Sequence, residues 1–169
     1  MAIRSVQITG TGQLLELQRR LRAAGNENLR ASMQRRIRRA AEPLHADLRQ
    51  TMLGLQLRSQ STPGRRRPSP TTRPLRATIA AAIRISVRTT GTPGARVWVD
   101  RAALPPDLKN MPNVLNNGRV RHPVFGNRRR WATQVPTPGT WWDTTVRRHQ
   151  PRMRAEVARI TTDIQRRLD

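Results

Sequence analysis

One periodic run constrains this chain more than any other feature. Its apolar positions are Leu29, Met33, Ile37, Ala40, Ala41, Leu44, Leu48, Met52 and Leu55. Steps of three and four place them in one stripe along a helix that opens at Glu27. Arg30, Arg35, Arg36, Arg38, Arg39 and Arg49 fall mainly on the other faces. Pro43 sits inside the pattern without an N–H to donate, so the spacing predicts a kink or break near residues 39 to 43.

Around this helix the other elements follow. Ile3 to Thr9 reads as a short extended start, and Leu14, Leu17 and Leu21 recur at helical spacing up to Gly25. From about Thr140, the positions Val146, Met153, Val157, Ile160, Ile164 and Leu168 predict a second long helix. Asp143 near its start and Arg166 and Arg167 near its end complement the helix dipole, while Pro151 predicts a kink or a later start. "LRATIAAAI" reads as a short helix, and "RISVRTT" and "ARVWVD" as two strands about the "GTPG" turn of residues 91 to 94. The expected fold class is α+β, with two long amphipathic helices packed on a small, mainly antiparallel β-sheet in a single domain of residues 1–169. Two stretches fit no element. Residues 58–74, "RSQSTPGRRRPSPTTRP", lack apolar side chains and read as a mobile basic loop or arm. Residues 101–139 read as an irregular loop region.

The core this permits is thin: 36% of residues are apolar, with one Phe and four Trp. Trp98, Trp131, Trp141 and Trp142 are therefore read as core or interface anchors, each able to bury ~150–250 Å². The richest apolar run, "ATIAAAI", is too short to span a bilayer, and "MAIRSVQITG" has no signal-peptide pattern. The expectation is a soluble chain made in the cytoplasm, without a membrane partner. With no cysteine, disulfides and thiolate metal sites are excluded.

Net charge is +23, and Lys109 is the only lysine among 33 basic residues. Two readings of this charge stand side by side: polyanion binding, and the codon bias of a GC-rich genome. Either way, such a surface attracts polyanions in a salt-dependent manner. Arg65, Arg66 and Arg67, then Arg128, Arg129 and Arg130, form two triple runs suited to phosphates or an acidic partner. No zinc-finger, RNA-recognition or base-reading signature accompanies them. Catalysis has less support. The ten carboxylates are scattered; Glu42, His45 and Asp47 do not share one helix face, and His122 with Asn127 lacks the further ligands of a nuclease motif. No phosphate-cradling loop or dinucleotide fingerprint occurs. The chain is expected to be no enzyme and to use no metal or cofactor.

The segment "NGRVRHPVFGNRRRWATQVPTPGTWWDTTV" resembles the tail-completion or head–tail connector (neck) proteins of siphophages, especially those infecting GC-rich actinobacteria. The likeness rests on the Gly-Arg-x-Arg-His-Pro-Val-Phe-Gly-Asn run, the following Trp-x-x-Gln, and the Pro-Gly before an aromatic pair. "AAGNENLR" and "LRATIAAAIRISVR" extend it over most of the chain; the Pro/Arg arm is richer than the family's pattern. The resemblance implies a structural virion protein, made in the host cytoplasm, that forms a hexameric ring between head-completion or stopper proteins and the tail terminator and tail tube. It implies a subunit or partner interface at Arg119, Arg121, His122, Phe125, Asn127, Arg128, Arg129, Arg130 and Trp131. Val124, Phe125 and Trp131 would anchor this loop to the core, with possible non-specific contact to DNA. The alternative reading is a basic DNA-binding protein packaged or associated with the phage genome.

Overall fold

The computed structural model describes residues 5–9, 12–23, 25, 27–59, 74–89, 93–124 and 127–168. Their fold is α+β. In chain order the elements are β1 (Val6–Thr9), α1 (Gly12–Ala23), α2 (Glu27–Gly54), β2 (Gln56–Ser59), α3 (Leu75–Ala81), β3 (Ile83–Arg88) and β4 (Gly94–Val99). Two 3-10 turns follow, then α4 (Met111–Asn116), β5 (Val120–Val124), β6 (Asn127–Thr137) and α5 (Trp141–Leu168). No helix among the described residues is long and apolar enough to cross a membrane.

Both long helices form where the apolar stripes place them. Met33, Ile37, Ala41, Leu44, Leu48 and Met52 are almost fully buried along α2, and Leu55 closes the stripe just beyond it. Glu27 in the first turn suits the positive helix end and pairs with Arg30 at 3.5 Å. Of the kink or break expected at Pro43, the break does not occur: α2 runs through it from Glu27 to Gly54. An internal proline costs roughly 3 kcal/mol, whereas each fully buried Leu-sized side chain contributes about 1.5–3 kcal/mol. The stripe outweighs the defect. Pro151 is likewise inside α5, which starts ten residues earlier, at Trp141. Gly25 ends the α1 region with φ +60, a conformation that favours glycine.

The described chain divides into two compact units. The first comprises Arg4–Asp47, Arg84–Trp98 and Val146–Asp169. Its sheet has the order β1-β4-β3, with Val6 opposite Val97 and Ile8 opposite Ala95 in antiparallel register. Ala95 and Val97 are buried, while Arg96 is exposed and its guanidinium lies 5.1 Å from the Trp98 ring centroid. Leu17, Leu21, Met33, Ile37, Leu44, Val157, Ile160 and Ile164 complete this core. Ion pairs tie α2 to α5 within the unit: Arg36 to Asp163, and Asp47 to His149 at 2.8 Å and to Arg148 at 3.3 Å.

The second unit comprises Leu48–Ile83 with Val99–Thr145. Its antiparallel sheet has the order β2-β6-β5. β2 pairs only with the base of β6, from Gln56 opposite Thr137 to Ser59 opposite Gln134. Met52, Leu55, Ile79, Leu104, Leu115, Trp141 and Trp142 form the core, with the two indoles edge to face at 5.5 Å. Asn116 is buried and fastens the start of α5: its Oδ1 accepts from Trp142 N at 3.0 Å and its Nδ2 donates to Asp143 Oδ2 at 2.8 Å. One of the orphan N–H groups of the first helical turn is thereby satisfied.

This unit corrects the expectation for residues 101–139. They carry 3-10 turns, α4 and a β-hairpin, not an irregular loop. Val120, Thr133 and Val135 favour strands, and Gly118 at φ +79 makes the turn that leads into β5. Of the expected arm, Arg58 and Ser59 lie in β2 and Pro74 precedes α3, while residues 60–73 lie outside the described residues.

Candidate functional site

The segment singled out in the sequence is the β5–β6 hairpin. Its base is held by burial of Val120 and Pro136 and by the third strand, β2. Beyond the base the hairpin is different: Arg121 and every residue from Asn127 to Trp131 are exposed, as is Arg119 just before β5. Burial falls along β6 from Pro136 to the exposed stretch Asn127–Trp131, so a rooted base carries a solvated segment.

Register explains how the arginines are presented. Val120 faces Gln134, Arg121 faces Thr133, His122 faces Ala132 and Pro123 faces Trp131. The next residue of β5, Val124, faces Asn127. Arg128, Arg129 and Arg130 are therefore extra residues of β6 and form a bulge. Two hydrogen bonds fix it: Arg129 N donates to Asn127 Oδ1 at 2.9 Å, and Trp131 Nε1 donates to Arg128 O at 2.8 Å. The Arg121 guanidinium lies over the Trp131 ring, 5.6 Å from its centroid, in a cation–π contact. His122 Nδ1 lies 3.2 Å from the Pro123 carbonyl oxygen and donates to it in the Nδ1–H tautomer.

The residues expected at the interface are thus gathered on one element, with two qualifications. Trp131 does not anchor the loop in the core; it is 50% exposed and braces the bulge through its N–H and ring face. Its position opposite Pro123, beyond the part of β6 that β2 covers, leaves no core for it to enter. Phe125 and Gly126 lie outside the described residues, as do Arg65, Arg66 and Arg67. Trp141 and Trp142 do serve as core anchors.

Electrostatically the hairpin is one-sided. No Asp or Glu occurs between Asp107 and Asp143. None of Arg119, Arg121 or Arg128–Arg130 forms an ion pair with a described carboxylate. Some arginines elsewhere are matched. In the first unit a cavity of about 280 Å³ is lined by Arg36, Arg39, Pro43, Arg152, Glu156 and Ile160. There Arg36 is tied to Asp163 and Glu156 to Arg159 at 3.0 Å. The hydrogen bond from Arg36, together with the charges of Arg166 and Arg167, holds the Asp163 carboxyl below its ordinary 3.8, against the opposing effect of desolvation.

Among the described residues no group of three His, Asp or Glu side chains is placed to hold a metal ion. Glu42 is engaged by Arg38 at 3.4 Å and Asp47 by His149 and Arg148. The sequence reading missed the strand pairing, the bulge and the Asn116 cap. The first had a signal, a Gly-Asn dipeptide between two runs with β-favouring residues; the others depend on tertiary register. Comparison with protein-family models, with curated proteins and with solved structures finds no match.

Proposed function

We propose that this chain is a structural, non-enzymatic virion protein of a phage neck. It forms a hexameric ring between head-completion or stopper proteins and the tail terminator and tail tube. The observation that carries this reading is the β5–β6 hairpin. The residues that resemble the neck family, Arg119, Arg121, His122, Asn127 and Arg128–Trp131, stand together on one exposed element with a rooted base. Such an element suits contact with another component of an assembly, because its exposed end is ordered by its own hydrogen bonds before any partner arrives. Trp and Arg are also the side chains that most often dominate the energetics of interfaces. Closed rings use heterologous contacts, in which one patch meets a different patch on the neighbour.

Negative-stain images and light scattering of the purified protein test the ring. Closed sixfold rings are expected at micromolar concentration. A protein that stays monomeric, both alone and with its neck partners, contradicts the reading.

A further inference from the structure

None of the five hairpin arginines is ion-paired with a described carboxylate. Glu16, Glu27, Glu42, Asp47, Glu156 and Asp163 are paired with Arg19, Arg30, Arg38, Arg148, Arg159 and Arg36. Asp143 accepts from Asn116 and Asp100 accepts from Ala102 N; Asp107 also has an interaction within the chain. Six of the nine described carboxylates are thus already ion-paired within the chain, which favours a different kind of molecule over a second copy as the partner of the five hairpin arginines.

Charge density narrows the choice. Arg128, Arg129 and Arg130 are consecutive, with Cα atoms about 3.8 Å apart along the chain, and Arg119 and Arg121 stand at the same hairpin. A protein partner would need several carboxylates clustered without cations between them. Duplex DNA supplies one negative charge per ~1.7 Å of axis. Arginine's planar fork takes phosphate oxygens in pairs. Asn127, whose amide could read an adenine edge, already spends its Oδ1 on Arg129 N.

We propose that the β5–β6 hairpin grips the phosphate backbone of double-stranded DNA without regard to sequence. Arg128, Arg129 and Arg130 contact phosphate, and Asn127 and Trp131 are positioning residues that lock the bulge. The proposal rests on the neck reading only for where that DNA lies, in the path through the ring. Binding itself is a property of the isolated protein.

The test is fluorescence anisotropy of a labelled 30-base-pair duplex of arbitrary sequence, titrated with full-length protein across a range of salt concentrations. The R128Q/R129Q/R130Q variant is expected to bind at least tenfold more weakly near 0.1 M salt. Its log–log salt slope becomes shallower by about 2.7, or 0.9 for each of three lost phosphate contacts. The R35Q/R49Q/R154Q variant removes the same charge from exposed helix faces and is expected to change the slope by less than about one. All variants keep residues 60–73, so the charge of that segment is common to every comparison. W131F keeps a ring beneath Arg121 but loses the N–H bond to Arg128 O; it is expected to weaken binding severalfold with every arginine present.

Four results overturn the proposal: no duplex binding by the wild type near 0.1 M salt; equal losses in the two triple variants; wild-type affinity in W131F; or poly-L-glutamate competing as well as duplex per charge, which would assign the hairpin to an acidic protein surface. Rings imaged without DNA are scored separately, so failure here and failure of the neck reading are distinguishable.

Discussion

At the scale of single residues, the fold depends on a few side chains that act at a distance in sequence. Asn116 is the clearest. Its amide spans the end of α4 and the first turn of α5, and both of its polar atoms are used. Asn116→Ala leaves the Trp142 N–H and the Asp143 carboxylate without this partner, and is expected to lower stability by about 1–3 kcal/mol in urea unfolding. Asp163 makes a pH-dependent contribution. Its carboxyl is held below 3.8 in the folded protein, chiefly by Arg36. A depressed acid stabilises the fold above its unfolded value, and that contribution disappears as pH falls through the folded value. Urea midpoints of the wild type are therefore expected to drop between about pH 5 and pH 2 more steeply than those of Asp163→Asn. Equal slopes would remove Asp163 from the acid response.

At the scale of elements, periodic helices were legible and the hairpin was not. Leu29 to Leu55 repeats for seven turns, and the resulting helix follows it closely despite Pro43. The irregular reading of residues 101–139 failed for a specific reason. A strand announces itself by alternation, and the bulge at Arg128–Arg130 breaks alternation where the hairpin turns. Trp131 was misread for the same cause: an indole next to an arginine run looks like a core anchor unless the register is known. Its actual work is local. Trp131→Ala is expected to leave global stability within about 0.5 kcal/mol, as an exposed site does. The same substitution should speed amide exchange at residues 128–130. Unchanged exchange would mean the bulge is held by other contacts. Helix α2 offers the opposite case: Pro43→Ala restores a helical N–H and is expected to raise stability by about 1–2 kcal/mol in the same unfolding assay.

At the scale of the whole molecule, charge and core pull in different directions. A chain of net charge +23 repels itself when compact, and each described carboxylate is already engaged within the chain. Assembly around a polyanion would relieve that repulsion, in keeping with the proposed place in the neck. The composition announced the charge, but only the structure shows which arginines the carboxylates engage and that three consecutive unpaired ones stand together on the bulge. The central claim is the neck assignment, and the most direct measurement is electron microscopy of particles made by a phage lacking this gene. Filled heads and separate or unfinished tails are expected, with infectivity restored when the protein is supplied in trans. Complete, infectious virions from the deletion strain would contradict the account.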